Sequence, residues 1–257
     1  MTSAVVFVGP TLAIAEARAA LPEARFLPPA RRGDVYRACS GRPASIALID
    51  GYFEQQLSVW HKEILWALSQ GIRVYGAASM GALRAAELEA FGMVGVGTIF
   101  SLFRGGQLED DDEVAVAHRS EAQGYTSSSD AMVNIRATLG RAERLNVAGH
   151  TTIAAVLTIA KATFYPERSL RAALAQARAA GCAADDIARL LAFCEGLRRG
   201  IVDAKRDDAL ELLARVRSDA SEPPTRAAPL FHFEHTEAWE QLLQQMHGRS
   251  QLGTEGS

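Results

Sequence analysis

One stretch constrains this chain more than any other: a strand, a turn of small residues and a helix in immediate succession, from Ile72 to Glu87. Ile72, Val74 and Tyr75 suit a buried strand, and Gly71 before them stops the preceding helix. From Met80 onward Ala82, Leu83, Arg84, Ala85, Ala86, Glu87 and Leu88 are strong helix formers. Between strand and helix, Gly76, Ala77, Ala78 and Gly81 surround a single hydroxyl, Ser79. A serine on a sharp strand-to-helix turn needs small neighbours two residues before and after it, here Ala77 and Gly81. This is a variant of the G-x-S-x-G elbow. The N–H groups of Met80 and Gly81 at the helix start are then candidates to hold a developing oxyanion beside a nucleophilic Ser79. The competing reading makes Ser79 a helix N-cap or part of an anion cradle, and the turn alone does not separate the two.

A chain of 257 residues with a formal net charge of −3 is long enough for a sizeable core. It lacks the basic footprint of a nucleic-acid binder. No apolar run is long enough to span a bilayer, and the N-terminus opens directly on a strand instead of a charged leader, so a cytoplasmic protein is expected. Cys39, Cys182 and Cys194 lack metal-ligand spacing and read as buried free thiols; the six histidines form no metal motif, so no metal and no cofactor are expected.

In order, Ala4–Val8, Ala24–Leu27 and Ser45–Ile49 read as three further short strands, separated by helices over 12–20 and 31–42. The fold class expected is α/β: a small, mostly parallel sheet flanked by helices, followed by a helical C-terminal region. Asp50 stands just past the end of a parallel strand, where such proteins bind ligands, although an Asx-turn with Gly51 explains it equally well. Leu57–Gln70 is an amphipathic helix that places His61 beside its apolar face, as a packing-edge histidine or a site residue. The glycines of 92–106 do not lie between a strand and a helix, which excludes a dinucleotide fingerprint. The acids of Glu109–Glu113 read as complements to the dipole of a following helix, and they lack the alternation of a calcium loop.

Ala131–Leu145 and Thr151–Phe164 are helices, the second apolar nearly all round and therefore expected to be buried. It carries Lys161. A desolvated lysine loses its proton more easily and becomes a general base, and serine with neutral lysine is a known nucleophile–base pair. The alternatives are a snorkelling lysine or one paired with a carboxylate such as Glu167. The expected organisation is an α/β core over 1–165, a helical extension over 166–217 and a linker over 218–230. An amphipathic helix then precedes a disordered tail within 231–257, docked on this chain, a partner or a second copy.

Gly9-Pro10, Ile49–Phe53, Trp60–Ile64, Ala77–Leu88 and Asp110–Ala115 with His118 together resemble the TfuA-like family over residues 4–165. The resemblance implies a partner of YcaO enzymes in the thioamidation of ribosomal peptides. Such a protein hydrolyses the C-terminal thiocarboxylate of a ThiS-type sulfur carrier and supplies sulfide to the YcaO. It implies a hydrolase-like Ser–Lys pair, carried here onto Ser79 and Lys161, with Asp50, His61, Arg84 and Glu87 as candidates for orienting groups or gripping the carrier. Arg84 and Glu87, one helical turn apart, also suit simple pairing. The rival expectation is a non-catalytic adaptor that docks carrier or precursor peptide onto the YcaO.

Overall fold

The computed structural model describes residues 4–53, 57–195, 200–221 and 231–252. Five parallel strands form one sheet: β1 (Ala4–Phe7), β2 (Arg25–Leu27), β3 (Ser45–Leu48), β4 (Arg73–Gly76) and β5 (Val94–Gly95). Their spatial order is β2-β1-β3-β4-β5. The three strands read from apolar runs and the one before the Ser79 turn are all present. The fifth is only two residues long and too short to announce itself by periodicity.

The sheet is buried on both faces, as parallel sheets are. Val5, Phe7, Ile46, Leu48 and Val74 point to one face. There they meet the helices α2 (Asp34–Cys39), α3 (His61–Ser69), α4 (Met80–Leu88) and α5 (Gly97–Arg104). Val6, Val8, Ala47, Ile49 and Tyr75 point to the other. That face is covered by α1 (Ile14–Ala20) and by the distant helix α10 (Ala204–Ala220). Two polar ties hold α10 there: the Tyr75 hydroxyl donates to Asp219 Oδ2 at 2.8 Å, and Asp208 accepts from the Thr98 and Ile99 amides at 2.9 and 2.7 Å.

A second core joins α6 (Met132–Arg144), α7 (His150–Ala162), α8 (Leu170–Ala179) and α9 (Ala184–Glu195). The division expected at residue 165 therefore falls inside one hydrophobic cluster, and α10 of the expected extension serves the sheet. The last helix, α11 (Glu237–Leu252), docks on this chain: Trp239, Leu242 and Met246 pack with Tyr36, Trp60, Trp66 and Phe233. It runs to Leu252, within the 231–257 stretch expected to hold an amphipathic helix and a tail. Most of the expected linker, 222–230, and the last five residues of the tail lie outside the described residues. Among the described residues no helix is long and apolar enough to cross a membrane, and no cluster of His, Cys, Asp and Glu is arranged to hold a metal.

Candidate active site

The β4–α4 turn depends on two close backbone approaches. A Cβ at Gly81 would come within 1.7 Å of the Leu48 carbonyl oxygen, and one at Gly76 within 2.1 Å of the Gly81 carbonyl oxygen. Only glycine lets α4 start this close to β3 and β4. The chain enters the helix through a γ-turn in which the Ser79 amide donates to the Ala77 carbonyl at 2.7 Å. Ala78, at its centre, has φ +66°, a conformation unfavourable for any residue with a Cβ. Strain of this kind persists only where the surroundings impose it, and here it aims the Ser79 side chain.

Ser79 occupies the N-cap position of α4, yet its hydroxyl makes no capping hydrogen bond. It is 2% exposed and lines a small recess with a volume of about 20 Å³, shared with Asp50, Tyr52, His118 and Tyr165. That volume admits a single small group. The recess lies beyond the carboxyl ends of β1, β3 and β4. In this strand order the switch between β1 and β3 is where ligands bind.

The two oxyanion candidates separate. The Gly81 amide donates to the Ile49 carbonyl at 3.2 Å and is committed to the fold. The Met80 amide, first in the helix, has no intrahelical carbonyl to reach and remains the candidate donor.

Asp50 is 1% exposed. Instead of an Asx-turn with Gly51, it binds the loop after β1: Oδ2 accepts from the Gly9 and Thr11 amides at 2.8 and 3.1 Å, and Oδ1 from the Thr11 hydroxyl at 2.5 Å. Its carboxylate thus staples two strand ends together beside the recess and is a positioning residue, not a grip for ligand.

The structure contradicts Lys161 as a neutral base. Only one face of α7 is buried, and Lys161 lies on its rim. Its ammonium meets Asp110 Oδ2 and Glu113 Oε1, each at 3.0 Å, and Asp112. Partial burial works against the charge, but the hydrogen bonds that the ammonium donates to Asp112, Glu113 and Asp110 outweigh it and raise the pKa above the ordinary lysine value. The acidic run is therefore a salt-bridge hub and not a dipole complement. Arg136 holds Glu113 with two bonds of 2.9 Å, and the buried Arg168 holds Asp112 at 2.6 Å. No long helix follows it, only a single 3-10 turn over Asp111–Glu113.

His61, Arg84 and Glu87 form a separate surface network: Glu87 Oε2 meets His61 Nε2 and Arg84 Nη1, both at 2.7 Å. None of the three lines the recess.

Of two residues not selected from the sequence, His118 lines the recess and Lys205 lies behind it, within the field of Asp50. His118 is half-buried. Its Nδ1 lies 2.9 Å from the Arg119 carbonyl, which can only accept, so Nδ1 carries a proton and Nε2 is the nitrogen left to serve as base in the neutral ring. The ring is held between Tyr52 and Tyr125, with centroids 5.7 Å away on each side. Lys205, on α10, is 3% exposed and donates to the Val114 carbonyl at 2.7 Å. Burial lowers its pKa, opposed by the charges of Asp50 and Asp203. The desolvated lysine of this protein is therefore Lys205, and its charge faces the Asp50 staple. His118 stood in the sequence as part of a motif without a role, while Lys205 lies in a charged run, Asp203–Asp208, that carries no sign of burial.

Residues 50–169 match the sequence profile of the family described as TfuA-like protein. That segment spans 120 of the 257 residues and contains Asp50, Ser79, His118 and Tyr165, while β1, β2 and Lys205 lie outside it. No curated protein matches the chain.

Proposed function

From the TfuA-like segment, we propose that this protein is a serine hydrolase of the TfuA type. It cleaves the C-terminal thiocarboxylate of a ThiS-type sulfur carrier and supplies sulfide to a YcaO enzyme that thioamidates a ribosomal peptide. One observation carries the chemistry: Ser79, on a strained turn with its hydroxyl free of any capping bond, lines the same small recess as His118. In this reading Ser79 Oγ attacks the thiocarboxylate carbonyl carbon while His118 Nε2 takes the hydroxyl proton. The tetrahedral oxyanion is held by the Met80 amide at the positive end of α4. Collapse breaks the C–S bond and expels hydrosulfide with the proton from His118, leaving an acyl ester on Ser79. Water, deprotonated by the same imidazole, then releases the carrier's carboxylate and restores the serine. Histidine replaces the expected lysine as base because Lys161 is held charged by three carboxylates.

The test is hydrolysis of a thiocarboxylated ThiS-type carrier followed by intact mass, with Ser79→Ala and His118→Gln beside the unmodified protein. Loss of about 10²-fold or more in both variants is expected, the range of a removed general base or nucleophile. Equal turnover in all three proteins would overturn the hydrolase reading and leave docking of the carrier as the better account.

A further inference from the structure

Tyr52 and His118 are also walls of an open groove of about 860 Å³ that runs over the ends of β2 and α2. Four arginines border it: Arg25, Arg31, Arg37 and Arg119. The two carboxylates in its wall are engaged internally. Asp34 accepts from Arg37 Nη1 at 2.6 Å and from the Arg31 amide at 3.1 Å, and Glu121 faces the Tyr125 phenol. Arg25 and Arg119 are exposed and have no ion-pair partner among the described residues. A chain of net charge −3 thus concentrates positive charge along a groove that shares Tyr52 and His118 with the Ser79 recess.

We propose that this groove is the docking track for the acyl-donating polypeptide of the reaction above, and that it recognises acidic side chains upstream of the donor's C-terminus. Arginine suits carboxylates because its planar fork donates two parallel hydrogen bonds. The narrow recess beside the groove admits a terminal carbonyl but no large side chain, which favours an extended tail of small residues next to Ser79. The acidic segment then lies over Arg25 and Arg119. The substrate reading rests on the proposed hydrolase, but the binding prediction does not need turnover.

The experiment uses the full chain carrying Ser79→Ala, so that nothing is consumed. Its probes are two fluorescent synthetic peptides ending in Gly-Gly, one with glutamates upstream and one with lysines at the same positions. The glutamate peptide is expected to bind about tenfold or more tighter, with affinity falling as salt rises. Adding Arg25→Glu and Arg119→Glu should reverse the preference, so that the lysine peptide now binds better, a rescue that misfolding cannot produce. Equal binding of both peptides, a preference that survives the charge reversal, or displacement by a single-stranded oligonucleotide as effective as by the acidic peptide would each overturn the proposal. If the hydrolase test fails while this preference and its reversal hold, the groove stands as a docking site without the chemistry.

Discussion

At the residue scale the site depends on which polar groups the fold leaves uncommitted. Ser79 does not spend its hydroxyl on capping α4, and His118 turns Nδ1 to the Arg119 carbonyl. Asp50, Gly81 and Lys161 are all spent on holding backbone or carboxylates. Lys161→Met should therefore leave carrier hydrolysis within about threefold of the unmodified protein, since no proton-transfer role is lost. Loss of turnover in a folded Lys161→Met protein would restore lysine as the base. The same variant should melt at a lower temperature, because Asp110, Asp112 and Glu113 would face one another without their shared cation. Partial burial alone would raise the pKa of Asp112 and Glu113, but their bonds to Lys161, Arg168 and Arg136 hold both below the ordinary range. Carboxylates depressed in the folded state contribute stability above their unfolded pKa and lose it as pH falls through the folded one. The hub should accordingly weaken on acidification below about pH 4.5. Thermal melts of both proteins over that range measure it.

At the element scale the β4–α4 turn is held by distances and not by propensity. Gly81→Ala places a methyl 1.7 Å from the Leu48 carbonyl oxygen, so α4 must shift away from the sheet. A loss of about 3 kcal/mol is expected in urea unfolding. Carrier hydrolysis should fall with it, because the same shift moves Ser79. A loss under about 0.5 kcal/mol, typical of a neutral surface change, would show that the contact is easily relieved. The start of α3 makes an opposite use of burial. Glu63 is fully buried, and its carboxylate accepts from the Trp60 and Tyr36 amides at 3.2 and 3.4 Å. Burial nevertheless raises its pKa to about 7, with the backbone donors of Gly33, Trp60 and Tyr36 opposing. A raised carboxyl binds more protons folded than unfolded, so stability falls as pH rises from about 4.5 towards 7. Glu63→Gln should flatten the pH dependence across that window in denaturation measured at its two ends, and an unchanged slope would remove Glu63 as its source.

At the scale of the whole molecule the chain closes on itself twice. α10 returns to roof the sheet and brings Lys205 to Asp50, and α11 seals an aromatic cluster in which Trp239 is fully buried. Trp239→Ala should cost about 3 kcal/mol by loss of a buried aromatic and strip the protection of Tyr36 and Trp66. Hydrogen exchange confined to fast rates in α11 and α3 would report it, whereas unchanged exchange would show that α11 is not part of the stable core. Much of this protein was legible without coordinates: four strands, the parallel sheet and the Ser79 turn follow from apolar runs and glycine spacing, because these are local consequences of pleat, sterics and helix propensity. Lys161 misled for the same reason that the strands did not. Its helix is apolar in sequence, but its burial was decided by an acidic segment about fifty residues away that reaches back to pair with it. His118, Lys205 and the arginine groove were likewise settled only in three dimensions. Local pattern determined what the elements are and where the serine turn lies between strand and helix. Tertiary packing alone decided which charges are neutralised, which are desolvated, and which side chain stands beside Ser79, since a charge takes its partner and its dielectric from neighbours that the local sequence does not contain.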